Sequence, residues 1–220
     1  MPGALVFVGF MGAGKSTAAR AASDALGRPL VDIDAQIETD AGRTIPQLFE
    51  AHGEAGFREI EERTILDVLG RVAHGTPVAL GGGALTSARV REALRAHTVC
   101  WLEIDESTAW RRVQRSDRPL ARDKETFGRL FAERLPIYEA AADVFLPQAG
   151  RSFMQAVVAR LLEAGGGRRL AFARAADTVY PVWFGNRVWP ATDPQRDLLI
   201  TDANVGAAHG AVAPAGRRAR

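Results

Sequence analysis

The chain has 220 residues, 47% hydrophobic and 25% charged, which suits one globular α/β domain with an appendage. Its net charge of +2 is too small to argue for nucleic acid, and a single cysteine, Cys100, excludes a disulfide framework or a cysteine-based metal site. No apolar run approaches a membrane span, and Met1–Met11 lacks the basic start of a signal peptide, so a cytoplasmic protein is expected.

The charge is uneven. Residues 1–164 carry 20 basic and 22 acidic side chains, whereas residues 165–220 carry 8 and 4. The basic character therefore belongs to the tail.

Ala4–Val8 reads as a buried strand, and Gly9 to Thr17 follow as G-F-M-G-A-G-K-S-T. An Ala-rich helix, Ala18–Leu26, comes next. Strand, glycine loop and helix in this order give the context that a phosphate-binding loop requires. Its glycines let backbone N–H groups turn inward, and the helix N-terminus adds partial positive charge. This makes the stretch Gly12, Ala13, Gly14, Lys15, Ser16 and Thr17 the expected ATP contact. Lys15 is expected on the β- and γ-phosphates and the Ser16 hydroxyl on Mg²⁺. Only Lys15 and Lys124 are lysines among 28 basic residues, so a lysine in this loop is a pointed choice.

The second strand, Leu30–Ile33, runs into V-D-I-D. Alternation puts Asp32 and Asp34 on one side of an extended strand, facing the loop. Asp32 is then the candidate for the Mg²⁺ shell, because the third strand, Pro77–Leu80, carries no aspartate. Asp34 is the candidate acceptor for a substrate hydroxyl; the alternative is a helix cap ahead of Ala35–Ala41. A helix is expected over Glu54–Ala73. In it Arg58 and Glu61 share a face, so the carboxylate can fix a guanidinium that grips a planar anion.

Gly81-Gly82-Gly83 follows the third strand and leaves room for close backbone approach. Ser87–Ala96 reads as helix, Thr98–Ile104 as strand and Ser107–Arg115 as helix. Arg111, Arg112, Arg115, Arg118 and Arg122 then gather around Pro119, the composition of a lid over phosphates. A lid arginine is worth roughly 10³–10⁵ in rate where such residues have been measured. Helix Glu125–Ala142 contains Glu133-Arg134-Leu135-Pro136-Ile137-Tyr138, strand Asp143–Leu146 follows, and Phe153–Ala164 reads as the last helix of the domain.

Short apolar strands alternating with helices imply a parallel sheet covered on both faces, with ligands at the strands' carboxyl ends. The fold class expected is α/β: a P-loop kinase with a central five-stranded parallel sheet, a lid and an irregular C-terminal extension. Residues 165–178 read as a Gly/Arg-rich linker, and 179–220, with short apolar pieces at Val179–Phe184 and Leu198–Thr201, as a segment unable to fold alone.

These motifs together resemble shikimate kinase over residues 1–164: the phosphate loop, D-x-D at Asp32/Asp34, F-R-x-x-E at Phe57–Glu61, G-G-G at 81–83, R-P-L at 118–120 and E-R-x-P-x-Y at 133–138. The resemblance implies transfer of the ATP γ-phosphate to the 3-hydroxyl of shikimate by a monomeric enzyme. It implies Asp34, Arg58, Gly82 and Arg134 as the shikimate site, with both arginines on the carboxylate. Arg118 becomes the lid arginine, Arg112 the neighbour of adenine, and Lys15, Asp34 and Arg118 the catalytic set. Ser16 and, through water, Asp32 would serve Mg²⁺. The adenine-side residue before the last helix aligns uncertainly, near Arg151–Ser152.

Tyr180–Asn186 and Asp197–Val205 resemble the opening of 3-dehydroquinate synthase, an NAD-dependent enzyme in which the residues matching Asp202 and Asn204 line the NAD site. That resemblance implies a truncated kinase–synthase fusion or the leading part of one; the alternative for the tail is a disordered basic extension. The alternatives are another small-molecule P-loop kinase, such as a gluconate kinase, or a non-catalytic nucleotide-binding module. The first would not be expected to carry F-R-x-x-E and E-R-x-P-x-Y together. The second predicts loss of Lys15, Asp34 or Arg118, and all three are present.

Overall fold

The structure, a computed structural model, describes residues 3–114, 123–146 and 155–157, together with the backbone of strands at 169–175, 178–184, 198–200 and 217–219. Strand β1 (Leu5–Val8) is buried at every position and leads through the glycine loop into α1 (Lys15–Leu26). Gly14 caps α1 in the left-handed region at φ 93°, a conformation that costs a side-chain-bearing residue about 1–2 kcal/mol. Helix α1 starts three residues before the sequence reading began it, so Lys15 lies in its first turn.

Strand β2 is only Val31–Asp32, and α2 (Ile33–Ala41) begins at once. Asp34 therefore sits in the first turn of a helix rather than on a strand, and the cap is Asp32, whose side chain accepts the Asp34 N–H. Two residues of strand give no alternation, so Asp32 and Asp34 do not share a strand face.

Helix α3 (Ile45–Arg71) starts well before Glu54. Thr44 and Gln47 form a reciprocal capping box, and Pro46 lies in the first turn, where its missing N–H costs nothing. Gly53, at φ 67° and ψ −178°, kinks the element into two helical arms. Phe49 and Phe57 stack across that kink with ring centroids 4.4 Å apart.

Strand β3 (Pro77–Ala79), a short 3₁₀ turn (Ala84–Thr86), α4 (Ala88–Leu94), β4 (Thr98–Leu102), α5 (Glu106–Val113), α6 (Lys124–Ala141) and β5 (Val144–Leu146) complete the domain. Asp105 and Asp123 cap α5 and α6, accepting from Thr108 N and Thr126 N. Pro136 does not interrupt α6, which runs past it to Ala141.

The order β2-β3-β1-β4-β5 is parallel throughout, with Leu5 opposite both Pro77 and Thr98. The chain reverses its direction of travel across the sheet at β1, so the crevice beyond Val8 is the topological switch point where such sheets bind ligands. The buried core runs through β1, β3, β4 and β5 and the inner faces of α1 to α6, with Val31 of β2 partly buried against it.

The sheet continues beyond β5. Strand β6 (Arg169–Ala175), inside the segment read as a linker, pairs in parallel with β5, Val144 opposite Leu170, and β7 (Thr178–Phe184) lies outside it. The extension is thus not irregular here. By compactness the chain divides into Met1–Trp183 and Phe184–Arg220. In the second unit, β8 (Leu198–Ile200) and β9 (Arg217–Ala219) form a parallel pair.

Candidate active site

The loop after β1 is held from three sides. Ala13 N donates to Phe10 O at 3.1 Å, closing the turn, and the Lys15 ammonium donates to the same carbonyl at 3.0 Å. Lys15 is only 8% exposed, which ties its charge to the loop, whereas Ser16 and Thr17 are exposed at the start of α1. From α5, Arg112 donates through Nη1 to Gly12 O at 2.9 Å. Two of the expected nucleotide residues, Gly12 and Arg112, are thereby joined across 100 positions of sequence. Arg118, Arg115, Arg122 and the Arg151–Ser152 region lie outside the described residues.

An aromatic cluster packs the loop onto the helices that border residues 115–122. The Phe10 ring meets Phe127 and Phe131 edge-on at 5.1 and 5.0 Å, and Phe127 meets Trp110 of α5 at 5.1 Å. Phe127, Phe131, Arg134 and Tyr138 recur at helical spacing, so one face of α6 carries all four.

Beside the loop lies a cleft of about 280 Å³ lined by Met11, Asp34, Arg58, Glu61, the three glycines and Arg134, and walled by Ile45, Pro46, Phe49 and Phe57 from α3. Its size suits a small polar molecule. Of two larger surface grooves, one between α4 and α6 holds none of these residues, and one beside Arg63 and Arg89 shares Arg58, Glu61 and Gly83 with the cleft but includes neither Asp34 nor Arg134.

Arg58 is fixed on several sides. Its Nη1 meets Glu61 Oε2 at 2.5 Å, Nη2 reaches Glu54 at 3.5 Å, and the guanidinium lies 5.4 Å from the Phe57 ring. A methyl on Gly83 would collide with that guanidinium, so the third glycine leaves the space Arg58 fills. A methyl on Gly81 would likewise strike Glu61 and come within 3.0 Å of Asp34 Oδ1. Glu61 has its pKa raised by burial, an effect the Arg58 charge opposes and Asp34 reinforces.

Arg134 is 6% exposed, lies 5.9 Å above the Phe10 ring and donates through Nη1 to Gly82 O at 3.1 Å. The Tyr138 hydroxyl donates to that same carbonyl. The cleft therefore holds two arginines, Asp34 and the glycine loop within one small volume. An arginine pair suits a carboxylate, and an aspartate suits a hydroxyl.

A family model described as shikimate kinase matches residues 11–164. The chain belongs to the shikimate kinase family. A family member from Rhodococcus erythropolis is 44% identical over 151 residues, spanning 67% of this chain and 88% of that protein. One from Ruegeria pomeroyi is 38% identical over 172 residues, 75% of this chain and 86% of the relative. Among solved structures, the shikimate kinase of Acinetobacter baumannii in complex with shikimate matches with a TM-score of 0.69 at 32% identity. It covers 74% of this chain and 94% of its own. The Aquifex aeolicus shikimate kinase gives 0.65 at 28% identity, over 73% and 96%. The family match ends at Ala164, before β6.

Sequence reasoning placed Asp34, Arg58, Gly82 and Arg134 in the site, and all four line one cleft. It missed the wall formed by Ile45, Pro46 and Phe49, because it began the helix at Glu54. The signal was available: Thr44 three residues before Gln47, with Pro46 between them, is a helix start. It also missed Tyr138 as a partner of the glycine loop.

Proposed function

We propose that this chain transfers the γ-phosphate of ATP to the 3-hydroxyl of shikimate, giving shikimate 3-phosphate and ADP. The observation that carries this is the cleft itself: Arg58 and Arg134 with Asp34, beside a phosphate-binding loop, in a member of the shikimate kinase family.

Arg58 and Arg134 grip the substrate carboxylate, with the Gly82 backbone beside them. This anchors the ring so that its 3-hydroxyl meets Asp34. Asp34 accepts a hydrogen bond from that hydroxyl and aims the oxygen at the γ-phosphorus. Orientation of this kind converts a bimolecular encounter into an in-line, effectively unimolecular step. With a loose transition state, little proton abstraction is needed before the phosphoryl group moves.

On the nucleotide side, the N–H groups of Gly12 to Thr17 cradle the phosphates. Lys15 exchanges its bond to Phe10 O for a phosphate oxygen, and Arg112 flanks adenine. Arg118 closes over the phosphates and stabilises the charge that develops between ATP and the acceptor.

The donors here fit Mg²⁺. The Ser16 hydroxyl is exposed beside the loop, and the Asp32 carboxylate, whose Oδ1 accepts the Asp34 N–H, is the second oxygen donor. Such a cation binds proteins by one or two oxygens plus water and substrate phosphates. Ser16 and, through water, Asp32 would hold it, and when bound it neutralises charge on the β- and γ-oxygens.

The enzyme acts as a cytoplasmic monomer, and residues 179–220 are the opening of a fused 3-dehydroquinate synthase. Among the described residues no helix is long and apolar enough to cross a membrane. Asp202 and Asn204 lie outside the described residues.

The test is ADP release by the full chain with Mg·ATP, with and without shikimate. Shikimate-dependent turnover is expected. ATP binding without any shikimate-dependent turnover would refute the assignment.

A further inference from the structure

The Gly82 carbonyl is the acceptor for two side chains of one helix. Arg134 Nη1 donates to it at 3.1 Å and the Tyr138 hydroxyl donates to it as well. A carbonyl oxygen has two lone pairs, so these two bonds saturate it. Arg134 and Tyr138 are four residues apart on α6, which puts them on one face, one turn from each other.

Tyr138 does not line the cleft that Arg134 enters. Its ring is 2% exposed and stacks on Trp101 of β4, centroids 6.4 Å apart and planes 23° from parallel. The sheet thus sets the ring's height, and the ring sets where its hydroxyl ends. Burial raises the Tyr138 pKa, so the hydroxyl remains a donor across the working pH range.

We propose that Tyr138 is a positioning residue for acceptor binding: its hydroxyl shares the Gly82 carbonyl with Arg134 and holds that guanidinium and the glycine loop in register with a substrate carboxylate. This rests on the role given to Arg134 under the proposed function. Without the hydroxyl, the carbonyl depends on Arg134 alone. The guanidinium then turns toward Gly82, and its fork no longer lies parallel to the carboxylate. Bidentate pairs are sensitive to such a turn because both bonds must be straight at once.

The experiment compares the full chain with Tyr138→Phe and, as a packing control, Trp101→Phe. Each is assayed for kcat, for KM of shikimate and of ATP, and for Tm. Tyr138→Phe removes one oxygen and little volume. The expected result is a shikimate KM raised about fivefold, in the range set by a buried hydrogen bond. The ATP KM stays unchanged and kcat stays within about twofold, by the same reasoning. Trp101→Phe keeps an aromatic partner for the Tyr138 ring, so it should lower Tm and shift the shikimate KM less than Tyr138→Phe does, with the ATP KM unchanged.

An unchanged shikimate KM in Tyr138→Phe would overturn the proposal. So would an unfolded variant, or one in which kcat falls and both KM values rise together, since each means a packing role. Absence of shikimate-dependent turnover in the unaltered chain would instead remove the functional reading on which the proposal rests.

Discussion

Asp32 holds the N-terminus of the helix that carries Asp34: Asp32 Oδ1 accepts the Asp34 N–H at 3.1 Å. One carboxylate thus sets the backbone from which the other is presented. The two can therefore be separated by mutation. Asp34→Asn keeps the cap and should lower kcat by about 10²-fold, the scale of a misplaced reacting group, because the acceptor that orients the substrate hydroxyl is weakened, with the ATP KM unchanged. Steady-state kinetics in both substrates checks this. Asp32→Ala loses the cap, about 1 kcal/mol, and should also raise the Mg²⁺ concentration needed for half-maximal rate. A Mg²⁺ titration that matches the unaltered chain would contradict the role given to Asp32.

Arg58 serves the buried Glu61 and the cleft at the same time. Arg58→Lys keeps the positive charge beside Glu61 but loses the planar fork. The shikimate KM should rise about 10- to 100-fold, the equivalent of a charged hydrogen bond, while the ATP KM stays level. Equal losses in both substrates would mean that Arg58 acts on the fold rather than on the acceptor.

Gly83 provides a finer probe of the same arginine. Its φ of −104° is open to alanine, so the cost of Gly83→Ala falls on the Arg58 guanidinium that fills its space. The guanidinium is the end of a flexible chain and can swing away. The variant should fold with a Tm close to that of the unaltered chain and still show a raised shikimate KM. Calorimetry and kinetics on the same sample decide between site and scaffold.

Glu61 yields a pH signature. Its pKa is raised above the ordinary value of 4.5 because burial disfavours the charged form more than Arg58 favours it. A group with a raised folded pKa contributes stability below its unfolded value, and that contribution is lost as pH climbs through the folded one. Glu61→Gln removes this titration. The Tm of the variant minus that of the unaltered chain should therefore increase as pH rises from below 4.5 and then level off. A difference that falls as pH rises would mean that Arg58 holds Glu61 in its charged form, and a flat one that burial and Arg58 cancel; either outcome contradicts the raised pKa.

How much of this could be read in the chain depends on the range of the interaction. The phosphate-binding loop was legible because G-x-x-G-x-G-K-S is a local backbone device whose neighbours in sequence are also its neighbours in space. Arg58 and Glu61 were legible as a pair for the same reason, being three apart on a helix. The Gly82–Tyr138 bond was not, since 56 residues separate its partners and nothing local requires it. Asp34 was read on a strand because V-D-I-D alternates, but two residues of strand are too few for alternation to choose over a helix start capped by Asp32. Strand β6 was hidden by the glycines and arginines at 165–169, whose composition signals a linker whatever follows them.

The pairing of β6 with β5 matters for anyone who trims the chain. The family match stops at Ala164, and a cut there looks natural by homology. Such a cut would strip the outer flank of β5 and expose a row of main-chain donors and acceptors on a short, buried apolar segment, Val144–Leu146. Bare strand borders of that kind recruit other copies of themselves. The boundary drawn by ancestry and the boundary drawn by hydrogen bonding differ by some twenty residues, Ala164 against the end of β7 at Phe184. The second is the safer place for the scissors.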